Sequence, residues 1–368
     1  MLMDLDTDQQ FFRDTTARFL AEHAPVDELR RLRDDPIGYR DDYWRKGVDL
    51  GWTSLLVSEA HGGGTISGHG LIDLTLLAHE FGAHAAPGPL LPANVVAGLL
   101  SDEDGDDALL AGLLHGSSLA AWAEASAALA IKATGDGVTV DGTVRPVEAA
   151  LNASTIVVTG RTGDGWTTIA APRETPGIDI TALDTVDLTR RFAAVTFDHA
   201  ALPASAVIGD IGGAAAASER MQQRALVIAC AESVGAMQAA FDMTVEWAFD
   251  RYSFGRPLAS YQELKHRFAD MKMWLEASHA VTDAAAAAVQ SGDPEASELT
   301  SVAKAYVGEY GTELVQDCVQ LHGGIGVTFE HDLHLLLRRV VLDRALLGTP
   351  AEHRRKLAAW CVSRDAAA

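Results

Sequence analysis

Three glycines, Gly323, Gly324 and Gly326, fall within four positions of the stretch Gln320–Thr349, just after a run with helical character, Ser297–Leu321. Glycine accepts left-handed backbone angles and lets a ligand come up against the main chain. A helix C-cap followed by a loop needs only one of them, so the turn reads as a ligand contact. The nearby His322, His331 and His334 suggest a metal, yet no cysteine or acid stands at the spacing of a zinc helix motif. Ser253 and Ser260 have no histidine at triad-like spacing to activate them. Glu330, Asp332 and Asp343 read as solvated or paired acids rather than catalytic ones. Arg338-Arg339 and Arg344 read as structural partners of carboxylates, with a ligand phosphate as the other use, and Arg354-Arg355-Lys356 as a solvated cluster on a terminal helix.

The elements that must position these groups fall into three blocks, 1–118, 119–213 and 214–368. The first is helical. Asp6-Thr-Asp starts a helix with Phe12, Thr16, Phe19 and Leu20 on one face, a second helix over Asp41–Leu50 carries Trp44 inward, and a third runs from His69 to Phe81 and ends at Gly82. Between the second and third lie Leu55–Val57 and the turn His61–Gly64, and Pro87–Pro92 breaks the chain before Ala93–Leu100 resumes. The second block holds short runs, Ala128–Ala133, Gly137–Val140, Thr155–Thr159, Trp166–Ala170 and Ala194–Phe197, with hairpin signals at Asp136-Gly137 and Asp164-Gly165. It predicts a small antiparallel β domain ended by Pro203. In the third block Met221–Phe249, Tyr261–Ser291 and Ser297–Leu321 predict long helices, with Asp293-Pro294 between the last two. Long apolar-faced helices joined by short loops imply a bundle, and Ala284–Ala288 with Gly235 point to close packing and an oligomer interface.

Composition sets the outer limits. A chain of 368 residues, 48% hydrophobic and 22% charged, is long enough to bury a large core in several layers. A formal charge of −22 argues against a nucleic-acid footprint, which needs a concentrated basic face. Cys230, Cys318 and Cys361 are few and widely spaced, the pattern of reduced, buried thiols. Met1-Leu-Met-Asp-Leu-Asp lacks the basic and apolar regions of a signal peptide, and no span approaches ~18 uninterrupted apolar residues, so no membrane helix and a cytoplasmic location are expected.

The order helices, small β domain, helical bundle resembles the acyl-CoA dehydrogenase family, and particular residues carry the likeness. Gly51-Trp52 through Ser58-Glu59 to Gly62-Gly63-Gly64 is similar to the family's Gly-Trp…Pro-Glu…Gly-Gly turn, with Ser58 in place of the proline. His79-Glu80-Phe81-Gly82 resembles its Glu-Glu-Leu-Gly helix end. Arg251-Tyr-Ser-Phe254-Gly255-Arg256-Pro257, followed by Gln262 and Ala269-Asp270-Met271, resembles Arg-x-x-Phe-Gly-x-Pro. Gln320-Leu-His-Gly323-Gly324-Ile-Gly326 resembles Gln-x-x-Gly-Gly-x-Gly. The resemblance implies a multidomain α+β fold: an N-terminal helical domain, a small middle β domain and a C-terminal four-helix bundle. It also implies FAD, and α,β-desaturation of an acyl-CoA thioester, in which a carboxylate removes the α proton while the β hydrogen leaves as hydride to the flavin. Such a base must be close, oriented and dry.

Both base positions known in that family are empty here. The Glu of a downstream Glu-Gly-Thr corresponds to Leu347, with Gly348 and Thr349 intact, and the alternative position, ten residues ahead of Gly235, corresponds to Ala225. Glu219, nearly two turns earlier, is the nearest upstream acid. Where the family has Thr-Glu-Pro-x-x-Gly-Ser-Asp and Lys-x-Trp-Ile-Thr-Asn against the flavin ring, this chain has Trp122-Ala-Glu-Ala-Ser-Ala and Thr143–Asn152. In family members one subunit holds the flavin ring and its partner's C-terminal domain holds the adenine-dinucleotide part. Arg251, Ser253, Phe254, Gln262, Gln320, Gly323, Gly324 and Thr349 match the donated half. The resemblance assigns Arg251 to the pyrophosphate, Phe254 to packing on the cofactor and the glycine turn to the adenine side. Keeping the donated half while losing the ring half resembles the non-catalytic subunit of actinobacterial heterotetrameric (α2β2) acyl-CoA dehydrogenases, some of which act on steroid side-chain CoA thioesters. Two other readings stay open: a self-sufficient flavoenzyme with a displaced base such as Glu263 or Asp343, and a flavin-free scaffold partner.

Overall fold

The computed structural model describes residues 5–103 and 105–367; Met1–Asp4, on which the expectation of no leader partly rests, lie outside them. Six helices precede the sheet: α1 (Thr7–His23), α2 (Val26–Arg31), α3 (Asp41–Asp49), α4 (Gly70–Ala83), α5 (Leu90–Asp102) and α6 (Asp107–Leu114). Asp6 caps α1 through a capping box, its Oδ1 accepting from the Gln9 N–H at 2.8 Å while Gln9 Oε1 accepts from the Asp6 N–H at 3.3 Å. Phe12, Thr16 and Leu20 are buried as their spacing predicts, whereas Phe19 is half-buried. α5 begins three residues before the predicted start. Pro92 lies in its first turn, where a missing N–H breaks no helical hydrogen bond.

The strands follow: β1 (Ala120–Trp122), β2 (Ser126–Ala133), β3 (Gly137–Glu148), β4 (Thr155–Thr162), β5 (Gly165–Pro172), β6 (Ile178–Leu183), β7 (Phe192–Pro203) and β8 (Val207–Ile208). Their order is β6-β7-β3-β2-β4-β5-β8, with β1 added on β4. Pairing is antiparallel except that β1 and β2 both run parallel to β4. Leu129, Ile131, Val140, Val158, Ile169 and Val195 form its buried side with their neighbours. The β4–β5 hairpin closes at Thr162–Gly165, near the predicted signal. β3 runs eight residues past the predicted end, through Gly142 at φ +128°, where a Cβ would strike the Ala128 carbonyl.

Five long or medium helices complete the chain: α7 (Ala215–Asp250), α8 (Gln262–Ser291), α9 (Ala296–His322), α10 (Leu333–Ala345) and α11 (Pro350–Ala367). The hairpin β9 (Tyr252–Ser253) and β10 (Arg256–Pro257) separates α7 from α8. Two compact units result. One comprises the segment through Val26, Thr75–Ala86 and the chain from Leu226 on; the other comprises Asp27–Leu74 and Pro87–Ala225.

Within the first unit α4 crosses α7 at backbone distance, because a Cβ on Gly82 would run into the Glu232 carbonyl and one on Gly235 into the His79 carbonyl. α10 is pinned to α7 by a buried Arg339–Glu232 ion pair, and Arg339 Nη2 also donates to the Ala86 carbonyl at 2.9 Å. α8 meets α7 through Phe241 and Phe268, whose rings lie edge to face at 6.0 Å. These contacts make α7–α10 a packed helical bundle. α7 is by length and composition apolar enough to cross a membrane, although polar and charged residues interrupt it, and 78% of its apolar window is buried inside the fold. Cys230 and Cys318 are buried thiols, each pushed up to about 12 by burial, while Cys361 is exposed rather than buried.

Candidate cofactor-binding site

The C-terminal end of α7 delivers Arg251, whose N–H still donates to the Trp247 carbonyl at 2.8 Å as the helix ends. The β9–β10 hairpin then reverses the chain so that the Leu258 N–H returns to the Arg251 carbonyl, also at 2.8 Å. Tyr261 fastens the hairpin: its hydroxyl donates to the Ser253 carbonyl at 2.7 Å, and its ring carries the Arg256 guanidinium at 3.8 Å. At the tip Phe254 sits at φ +50° and is 98% exposed, next to Gly255 at φ +83°. A bulky residue in left-handed backbone is costly, and a fully exposed phenyl ring gains nothing from the chain's own core. Gln262, also exposed, is the first residue of α8. Arg251, Ser253, Phe254 and Gln262 therefore belong to one tightly tied surface feature.

The glycine turn assembles from the end of α9. Gln320 is exposed in the last turn, and its carbonyl accepts from the Gly323 N–H. Gly323–Val327 form a 3-10 turn. Its three glycines differ in what requires them. Gly323 has φ +68°, so its backbone favours glycine. Gly326 is buried, and a Cβ there would lie 2.8 Å from the Val319 carbonyl oxygen. Gly324 has neither constraint: its φ is not positive, and a Cβ would meet nothing within 4 Å. The chain itself does not need a glycine at this position, which fits the approach of an external group.

Two residues that the motifs did not single out join the hairpin to the turn. His322, immediately before Gly323, is buried, and its Nδ1 lies 2.8 Å from the Cys318 carbonyl. A carbonyl can only accept, so Nδ1 carries the proton and Nε2 is left as an acceptor. Its imidazole stacks on the Trp247 indole with centroids 5.2 Å apart and planes 17° apart, and meets His331 edge-on at 4.7 Å. The Arg251 guanidinium lies 5.9 Å from the same indole. Burial lowers the His322 pKa, with a smaller lowering from His331, while the Cys318 hydrogen bond raises it. Trp247 Nε1 and His322 Nε2 are buried without a hydrogen-bond partner among the described residues. The spacing Trp247–Arg251, one helical turn, was the available signal.

The remaining candidates lie elsewhere or are engaged. Thr349 caps α11: its N–H and hydroxyl donate to Glu352 Oε2 at 2.7 and 2.8 Å, and these bonds hold the Glu352 carboxyl below its usual range. Leu347 is 8% exposed at φ +59°, with its carbonyl accepting from His353 Nε2 at 2.8 Å. Ala225 is fully buried in α7. Asp343 is 2% exposed and accepts from Ser233 Oγ at 3.0 Å, and Glu263 is exposed in the first turn of α8. The three histidines do not converge as metal ligands: besides the Cys318 bond of His322, His331 Nδ1 accepts from the Leu333 N–H at 3.2 Å and His334 Nε2 donates to the Phe329 carbonyl at 3.2 Å. Asp141, Asp198 and His199 do bring ligand atoms within 4.8 Å of one another, but His199 Nδ1 and Asp141 already pair at 2.6 Å on an exposed bulge.

In the other unit, the stretches expected against a flavin ring are partly buried and partly paired within the fold. Trp122 is buried, Glu124 accepts from Gln222 Nε2 at 3.0 Å, and Val147 and Ala150 are fully buried. Thr143 pairs with Thr196 Oγ1 at 3.0 Å. Glu148 holds Arg190 in a buried two-point pair at 2.7 and 2.5 Å. An exposed cation, an exposed aromatic ring and an unencumbered glycine fit the anionic dinucleotide part of FAD.

The family model "Acyl-CoA dehydrogenase, N-terminal domain" matches residues 6–110, and "Acyl-CoA dehydrogenase, C-terminal domain" matches 212–362. The chain belongs to the acyl-CoA dehydrogenase family, whose members are FAD-dependent oxidoreductases. Among its relatives, acyl-CoA dehydrogenase IpdE2 of Mycolicibacterium smegmatis is 28% identical over 357 residues, 96% of this chain and 99% of the relative. IpdE2 of Mycobacterium tuberculosis is 29% identical over 353 residues, 95% and 96% of the two chains. The fold matches the ChsE4-ChsE5 complex from Mycobacterium tuberculosis with a TM-score of 0.89 at 22% identity, covering 98% of this chain and 99% of that one. It also matches a Tcur3481-Tcur3483 steroid acyl-CoA dehydrogenase with a TM-score of 0.89 at 24% identity, covering 98% and 99%.

Proposed function

We propose that this chain is the flavin-sharing, catalytically incompetent subunit of a heteromeric acyl-CoA dehydrogenase that α,β-desaturates an acyl-CoA thioester in the cytoplasm. Residues 1–118, 119–213 and 214–368 serve as its three domains, and an unlike chain with an intact base completes an α2β2 tetramer. The observation that carries the reading is Leu347. A leucine side chain cannot accept a proton, and it stands with Gly348 and Thr349 where the family places a carboxylate. Ala225 leaves the alternative position equally inert. Asp343 does not replace them, being buried and hydrogen-bonded to Ser233.

When bound, FAD supplies the hydride acceptor; the residues of this chain supply binding. Arg251 offers a permanent positive charge to the pyrophosphate. Phe254 provides an aromatic face, and Gly323-Gly324 allow close approach of the adenine side. Gln262 and Gln320 supply amides at the margins of the grip, and Thr349, engaged with Glu352, is the remaining motif residue assigned to the donated half. A bulky steroid side-chain CoA thioester is the substrate class suggested by a structural neighbour described as a steroid acyl-CoA dehydrogenase, and a neighbour solved as a complex of two named chains supports an unlike partner.

The test is flavin content. Expressed alone, the chain is expected to be colourless and inactive; co-expressed with its unlike partner, it should yield a yellow, active complex. A yellow and active homo-oligomer would overturn the reading. In the complex, Arg251→Ala should weaken flavin retention by about 1.5–3 kcal/mol, the value of a charge-assisted contact.

A further inference from the structure

We infer that Trp247 is a positioning residue for Arg251, and that the Trp247–His322 stack sets the direction in which this chain presents its cation to the pyrophosphate-bearing cofactor. The inference rests on the proposed flavin-sharing function but concerns Trp247, a residue outside the family motifs. Arg251 is the first residue beyond α7, and its guanidinium is exposed on a flexible stem. Such a side chain samples many rotamers, and ordering it on binding consumes affinity. Here the guanidinium is drawn over the Trp247 ring at 5.9 Å, the arrangement in which the π face attracts a cation.

Trp247 is itself not free to turn. Its ring lies nearly parallel to His322 at 5.2 Å, and His322 is fixed by the Nδ1–Cys318 bond at 2.8 Å one helical turn back. The ladder Cys318–His322–Trp247–Arg251 thus links the helix that ends in the glycine turn to the cation beside the hairpin. Neutral imidazole suits the place, since a second cation against the same indole would compete with Arg251. The hydrogen bond of the Arg251 N–H to the Trp247 carbonyl makes the pair a single helical turn, so displacing the indole redirects the arginine.

The test uses the flavin-stripped heteromeric complex, titrated with FAD and, separately, with riboflavin, which has no phosphate. Trp247→Ala should weaken FAD binding about threefold to tenfold and leave riboflavin binding unchanged. Trp247→Phe, which keeps a ring face, should stay within about twofold of the parent. Combining Trp247→Ala with Arg251→Ala should cost no more than Arg251→Ala alone. Equal loss of FAD and riboflavin, full additivity of the two substitutions, or an unaffected FAD affinity in Trp247→Ala would each overturn the inference while the shared site stood. An unaffected FAD affinity in Arg251→Ala would instead remove the proposed function, and this inference with it.

Discussion

A methyl group placed on Gly326 would lie 2.8 Å from the Val319 carbonyl oxygen, whereas one on Gly324 would meet nothing within 4 Å. Two glycines of one motif therefore make opposite predictions. Gly326→Ala should lower unfolding stability by about 1–3 kcal/mol, since the crowding atom is backbone. Gly324→Ala should alter it by no more than about 0.5 kcal/mol yet reduce flavin retention in the complex, because the added methyl occupies the approach to the main chain. Urea unfolding and flavin absorbance on the same preparations measure both. A Gly324→Ala complex with full flavin occupancy would remove this glycine from the site. Leu347 shows a related separation of backbone from side chain. Its φ of +59° and the His353 hydrogen bond to its carbonyl give the loop a defined shape, although the side chain has no acid–base chemistry.

At the level of elements, the crossing of α4 and α8 brings His79 and His279 into a stack with centroids 5.7 Å apart. Burial, with a further contribution from His79, lowers the His279 pKa to about 3. In the unfolded chain the same group titrates near 6.5. The unfolded state thus binds more protons as pH falls between these values, so the stabilisation is full above about 6.5 and is lost toward about 3. The urea midpoint should be lower at pH 4.5 than at pH 7.5, and His279→Gln should flatten that decline. A parallel decline in the variant would place the sensitivity elsewhere.

The sequence made the long elements legible. The α8 and α9 ranges match prediction to within a residue at each end, and α7 begins six residues early, in an alanine run with no apolar stripe to mark it. What stayed hidden depends on non-local pairing. β1 exists because Ala120–Trp122 lie parallel to Thr155–Val157, and β6 is only half-buried, so Ile178 and Ile180 alternate too weakly to announce a strand. The motif residues around Arg251 and Gly323 could be read directly, but the pairing of Trp247 with His322 could not. Their ring stack exists only once α7 and α9 are packed.

For the whole molecule, 51 acidic against 29 basic side chains leave a charge of −22, and several arginines are already spent on internal pairs such as Arg190–Glu148, Arg224–Asp102 and Arg339–Glu232. Self-repulsion of this size opposes compaction and like-with-like association. Raising NaCl from about 20 to about 300 mM shortens the screening length severalfold, and should raise the thermal midpoint of the isolated chain. A midpoint that fell with salt would mean that the ion pairs outweigh the repulsion.

Of the six lysines, Lys46, Lys132, Lys265, Lys272 and Lys356 are exposed, but Lys304 is buried, with Nζ against the carbonyls of Asp343 and Arg344 at 2.5 and 3.1 Å. CoA thioesters are mild acylating agents, and an acylated lysine loses its charge. The remaining permanently charged basic side chains are arginines, whose guanidinium stays protonated and is a poor nucleophile. The one amine that holds the end of α10 is thereby placed where stray acyl transfer cannot reach it, and only the five surface lysines stand open to such a reaction.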